Sequence, residues 1–156
     1  MTSEAGRLDD EAFAHLIRDA PLVSMDLVIR NAERKILVCL RQNEPAKDYY
    51  FVPGGRIRKN ETLAAAFARI LRSETGYNAE FHEARFIGVY QHLYPTNRFD
   101  HESYGTHYVV LAYEVTVPGD VDIRLDAQHA AYRWADERAL IAMPDVHEYT
   151  KAYFKP

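Results

Sequence analysis

Residues 55–77 read GRIRKNETLAAAFARILRSETGY, a glycine and a cationic turn followed by an unbroken run of helix formers. The pattern predicts a helix over residues 61–75, with Asn60 as its N-cap and Gly76 as the left-handed residue after its end. With Glu61 set at zero and about 100° per residue, Leu63, Phe67, Ile70 and Leu71 fall at roughly 200°, 240°, 180° and 280°. That is a core-facing stripe. Glu74 falls at roughly 220°, in the middle of the stripe. It also occupies the last turn, where the helix dipole disfavours negative charge by ~0.3–1 kcal/mol. Either the last turn frays and Glu74 reaches water, or the carboxylate meets a cation. The cation would be a metal ion or an arginine, Arg69 being the nearest on the same helix.

The segment before the helix bears on that choice. Pro53-Gly54-Gly55 ends an aromatic, β-branched run, Tyr49 to Val52, and paired glycines let the backbone turn sharply. Arg56, Arg58 and Lys59 follow at once. A strand, a glycine turn, cations and a helix together suit an anionic, metal-chelated phosphate.

Working outward, residues 8–19 read as an amphipathic helix, with Leu8, Phe13, Leu16 and Ile17 near one face and Pro21 ending it. Residues 22–31 and 35–41 read as strands joined by the turn Asn31-Ala32-Glu33-Arg34. Pro45 to Asp48 marks a loop. Residues 80–93 and 107–117 read as longer strands flanking a polar loop from Pro95 to Gly105. A short strand is expected at 131–134, and helical segments at 136–142 and 147–154. This order of helices and strands predicts an α+β or α/β chain with a mixed sheet. Asp26, between Met25 and Leu27, is an uncommon mid-strand carboxylate.

The chain has 156 residues and 18.0 kDa, the size of one domain. Hydrophobic residues at 47 % and charged residues at 27 % exclude a disordered or fibrous chain. A net charge of −4 argues against nucleic-acid binding through a general basic field. The single cysteine, Cys39, excludes an intrachain disulfide and a multi-thiolate zinc site; its apolar run makes it a core residue. The N-terminal stretch MTSEAGRLDDEAFAHLIRDAP has no apolar segment suited to export, and no stretch approaches the ~20 apolar residues of a membrane span. A soluble, cytoplasmic protein is the expectation.

The spacing of Gly55, Glu61, Arg69, Leu71, Glu74 and Gly76 resembles the Nudix box, G-x5-E-x7-R-E-U-x-E-E-x-G-U with U aliphatic. Ile70 and Ser73 stand where that family usually has glutamate, and Tyr77 replaces the last aliphatic residue. The segments PLVSMDLVI (21–29), YYFVPGGRI (49–57), GVYQHLY (88–94), THYVVLAY (106–113) and AQHAAYRW (127–134) are similar to the GDP-mannose mannosyl hydrolase branch of the Nudix superfamily. The resemblance runs over about residues 8 to 154 and is weakest in the loop 95–105. It implies one Nudix hydrolase domain over 1–156, with the N-terminal helix at 8–19 and the Nudix box at 55–77. It also implies an α/β/α sandwich whose central mixed sheet is flanked by helices.

Carried over position by position, the resemblance implies one magnesium ion, replaceable by manganese, held by the Gly54 carbonyl, Glu74 and Gln128. His129 matches the branch's general base, and imidazole is apt for taking a proton near pH 7. Arg41 and Arg56 match arginines facing the diphosphate, Tyr108 a tyrosine donating to it, and Asp26 and His92 polar groups at the sugar end. Glu61 and Arg69 would stand behind the metal ligands, with Arg69 orienting Glu74. The implied reaction is hydrolysis of GDP-mannose, or a related GDP-hexose, to GDP and free sugar by attack of water at the anomeric carbon with inversion. A homodimer is implied too. Two alternatives stay open: a Nudix pyrophosphatase giving a nucleoside monophosphate and sugar 1-phosphate, and a non-catalytic nucleotide-sugar binder.

Overall fold

The computed structural model describes residues 6–119, 123–125 and 129–156. Helix α1 (Asp10–Asp19) begins where the Asp9 side chain accepts the Ala12 N–H and stops two residues before Pro21. Strands β1 (Leu22–Arg30) and β2 (Ile36–Arg41) follow, then the short β3 (Tyr50–Phe51) and β4 (Gly54–Arg56). Helix α2 (Leu63–Thr75) carries the Glu74 stripe. β5 (Arg85–Tyr94), β6 (Thr106–Thr116) and β7 (His129–Ala135) complete the strands. α3 (Glu137–Ala142), α4 (Glu148–Lys151) and a 3-10 turn (Ala152–Phe154) close the chain.

The sheet is mixed and seven-stranded, ordered β3-β2-β1-β6-β5, with β4 added to β1 and β7 to β2. β1 and β6 run parallel; the other pairings between these strands are antiparallel. β1 meets β2 only at Arg30↔Ile36 and pairs with β4 over Ser24–Asp26. β2 in turn pairs with β7 and β3. The two strand sets therefore join at one end and part at the other.

Side chains of the central strands alternate between two cores. Met25, Leu27, Ile29, Leu37 and Cys39 face α2, packing on Phe67, Ile70 and Leu71. Val28, Ile36, Val38 and Ala112 face Leu140 of α3 and Tyr153 of the 3-10 turn. Phe67 is fully buried and stacks at 5.5 Å on Phe81, itself 5.2 Å from Tyr113. Burying such a side chain stabilises the fold by about 1.5–3 kcal/mol. The α+β architecture with a mixed sheet agrees with the sequence reading.

Three local expectations are corrected. Thr62, not Asn60, caps α2: its hydroxyl accepts the Ala65 N–H at 3.1 Å. Asn60 adopts φ 65° in the turn before it, so Glu61 precedes the helix. Gly54 and Gly55 form no sharp turn. They are extended in β4, where the absent side chains make room: a Cβ on Gly54 would collide with Asp26 Oδ1 and lie 2.9 Å from the Met25 carbonyl. The strand read from residue 80 starts at Arg85, because Phe81–Glu83 form a 3-10 turn capped reciprocally by Glu80 and Glu83. Gly76, in contrast, ends α2 in the expected left-handed conformation at φ 73°.

Candidate active site

Strand register gathers the site. Arg41 lies opposite His129 across β2 and β7, beyond a bulge after Cys39. Asp26 lies opposite Gly54, and Ser24 opposite Arg56, across β1 and β4. His92 lies opposite Tyr108 across β5 and β6. All these residues, together with Glu74 and Arg69, line one cavity of about 390 Å³ where the two strand sets part.

Glu74, only 7 % exposed, points inward as its helical phase requires. Nδ1 of His129 stands 3.2 Å from its Oε2. A neutral ring carrying its proton on Nδ1 leaves Nε2 as the imidazole's acceptor nitrogen. The expected ligand Gln128 lies outside the described residues. Arg69 is not turned to Glu74. Its guanidinium grips Glu61 at 2.6 and 3.0 Å and the Arg56 carbonyl at 2.8 Å. Glu61 also accepts the Arg58 N–H, so this pair ties the pre-helix turn to β4 and α2. Arg69 is thus one contact removed from where the sequence reading put it, acting on the backbone that carries Arg56.

The cavity carries more cationic than anionic side chains, six arginines against Asp10, Asp26, Glu44 and Glu74. Arg7, Arg41, Arg56, Arg58 and Arg98 line it besides Arg69. Arg56 is held by the Gly6 carbonyl at 3.2 Å and lies 5.3 Å over the Phe13 ring. Burial first, and then the charges of Arg58 and Arg69, pull its pKa down, a strain that an anion in the cavity would relieve. Arg41 is anchored through Nε to the Pro45 carbonyl at 2.9 Å. Burial pushes the Tyr108 hydroxyl up, so it stays protonated and able to donate.

Another part of the lining is aromatic and polar. Asp26 is buried and accepts the Tyr153 hydroxyl at 2.5 Å. Burial raises its carboxyl to about 6, against the opposing pull of the Tyr153 hydrogen bond and the Arg41 charge. His92 stacks on Tyr149 at 4.3 Å, and burial, then the nearby His147, drops it to about 4, leaving the ring neutral. Sequence reasoning missed Arg98, Tyr94 and Phe13 among the lining residues, and Tyr153 behind them. Arg98 lies in the loop 95–105, where the resemblance is weakest. Tyr153 had one indirect signal, the need of a mid-strand Asp26 for a donor.

Among the described residues, no group of three or more His, Cys, Asp or Glu could hold a metal by itself, and no helix is long and apolar enough to cross a membrane.

Comparison with known proteins places these features. Residues 20–155 match the model of the NUDIX domain. The chain is 40 % identical over 125 residues to the low-salt glycan biosynthesis protein Agl8 of Haloferax volcanii, covering 80 % of this chain and 76 % of that one. Its fold is shared with a MutT protein of Methanosarcina mazei Go1, at TM-score 0.70, 18 % identity and coverage of 87 % and 92 % of the two chains. It is shared also with the NUDIX domain of Shewanella oneidensis NrtR complexed with ADP ribose, at TM-score 0.64, 20 % identity and coverage of 99 % and 97 %.

Proposed function

Because the chain belongs to the Nudix hydrolase family, we propose that it hydrolyses GDP-mannose, or a related GDP-hexose, to GDP and the free hexose. One observation carries the reading. The imidazole of His129 adjoins Glu74 inside the cationic cavity, while Ile70 and Ser73, both lining it, stand where the family's box has glutamates. A base is therefore supplied from β7 instead of from the helix. The relative named for glycan biosynthesis accords with a sugar-bearing substrate.

Nudix hydrolases generally use divalent metal ions. The donor chemistry suits magnesium: one buried carboxylate and oxygen donors, in a cavity whose cations attract the phosphates that complete the ion's shell. Glu74, the Gly54 carbonyl and Gln128 would hold it, with manganese able to take its place. Bound there, the ion supplies positive charge to the departing diphosphate.

The chain's own residues do the rest. Arg41 and Arg56 bind the diphosphate, their planar forks matching phosphate oxygens. Tyr108 donates to the same group as charge builds on it. His129 takes the proton of the attacking water, which enters the anomeric carbon on the face opposite GDP and gives the inverted sugar. With two glutamates absent, fewer negative charges oppose the leaving anion. Asp26 and His92 meet the hexose. The protein acts as a cytoplasmic homodimer in this reading.

Incubation with GDP-mannose and magnesium, with separate assays for free sugar and phosphomonoester, tests the proposal. Free mannose with GDP supports it. Mannose 1-phosphate with GMP would identify a pyrophosphatase, and binding without turnover a nucleotide-sugar binder.

A further inference from the structure

A carboxylate buried in the middle of a strand must find donors or be neutralised. Asp26 is clamped from two sides. Its Oδ2 accepts the Tyr153 hydroxyl at 2.5 Å, and its Oδ1 lies against Gly54, so closely that a Cβ there would collide with it. The same hydroxyl is 3.4 Å from Nε2 of His92. Since the O–H donates to Asp26, its oxygen is the acceptor towards Nε2–H, which sets the neutral His92 tautomer. Asp26 and His92 line the cavity, whereas Tyr153 stands behind them with its ring edge-on to Tyr90 at 4.7 Å. One hydroxyl from the C-terminal 3-10 turn therefore joins residues of β1 and β5 that the sheet order holds apart.

We propose that Tyr153 is a positioning residue for sugar recognition, its hydroxyl fixing Asp26 and His92 so that they read the hydroxyls of the hexose. The proposal rests on the reading that a nucleotide sugar fills the cavity. With Oδ2 engaged by Tyr153, Oδ1 is the acceptor presented to a sugar hydroxyl, and its direction is set by the Tyr153 bond. A site built to hydrogen-bond a hydroxyl rejects ligands that lack it, because its buried polar groups are then left unsatisfied. Tyr153 thus contributes to binding the hexose and not to binding the nucleotide.

Tyr153→Phe keeps the ring and its packing on Tyr90 while removing the hydroxyl. Dissociation constants for GDP and GDP-mannose, measured with magnesium by calorimetry in a His129→Gln background that slows turnover during the titration, are compared with and without Tyr153→Phe, Asp26→Asn and the two together; KM and kcat for GDP-mannose are compared for the same changes with His129 in place. The expected result is a GDP affinity within about twofold of wild type. GDP-mannose Kd and KM rise about tenfold, the loss of one hydrogen bond to a charged acceptor. In the double variant the two losses are less than additive. The proposal is overturned if Tyr153→Phe binds GDP-mannose as wild type does, if both ligands weaken together, or if the losses simply add. Wild-type release of mannose 1-phosphate in place of mannose would defeat the proposed reaction alone, and the paired dissociation constants would still decide for or against Tyr153.

Discussion

Nδ1 of His129 stands 3.2 Å from Oε2 of Glu74, and both side chains are buried. The helix alone delivers the carboxylate; β7, paired with β2, delivers the imidazole. A carboxylate beside Nδ1 favours the tautomer whose Nε2 accepts a proton, the arrangement that a general base needs.

Replacing His129 by Gln removes that acceptor while keeping a polar side chain of similar reach. The expected outcome is a fall in kcat for hexose release of roughly 10²–10⁴, the usual span for loss of a general base. Steady-state assays with saturating magnesium measure it. A near-normal kcat would take His129 out of the mechanism.

The two glycines of β4 differ in what surrounds them. A Cβ at Gly54 meets the Asp26 carboxylate and the Met25 carbonyl, whereas one at Gly55 meets Ile70 Cγ1 at 3.3 Å, a side chain able to shift. Gly54→Ala is expected to lose about 1–3 kcal/mol of stability and Gly55→Ala less than ~1 kcal/mol. Urea denaturation of both variants decides; equal losses would contradict the account.

Glu61 makes stability depend on pH. The Arg69 hydrogen bond, and then the Arg58 N–H, hold its carboxyl below the ordinary value against the opposing effect of burial. A depressed folded value means the contribution is present above the unfolded pKa of about 4.3 and is lost as pH falls through the folded one. Glu61→Gln should therefore be less stable than wild type at pH 7 by about 1–2 kcal/mol. The gap should shrink below about pH 4. Denaturant midpoints across pH measure it, and a gap independent of pH would remove the ion pair as its cause.

Much of this was legible in the residues. The 3.6-residue period set Glu74 inward, and Gly76 marked the helix end because a left-handed residue favours glycine. Partners set by tertiary placement were not legible. Arg69 was expected at Glu74, but α2 begins only after Thr62, which leaves Glu61 in a turn whose carboxylate curls back to Arg58 and Arg69. The glycine pair looked like a bend, since local rules cannot see the Asp26 carboxylate packed against Gly54. Tyr153 reaches Asp26 across the whole fold, and nothing in its short C-terminal segment marks that contact.

The central claim is that water enters at the sugar carbon and not at phosphorus. Hydrolysis of GDP-mannose in ¹⁸O-labelled water, with mass analysis of both products, tests it most directly. The account predicts the label in the released mannose and unlabelled GDP. Label in a phosphate group of either product would contradict it.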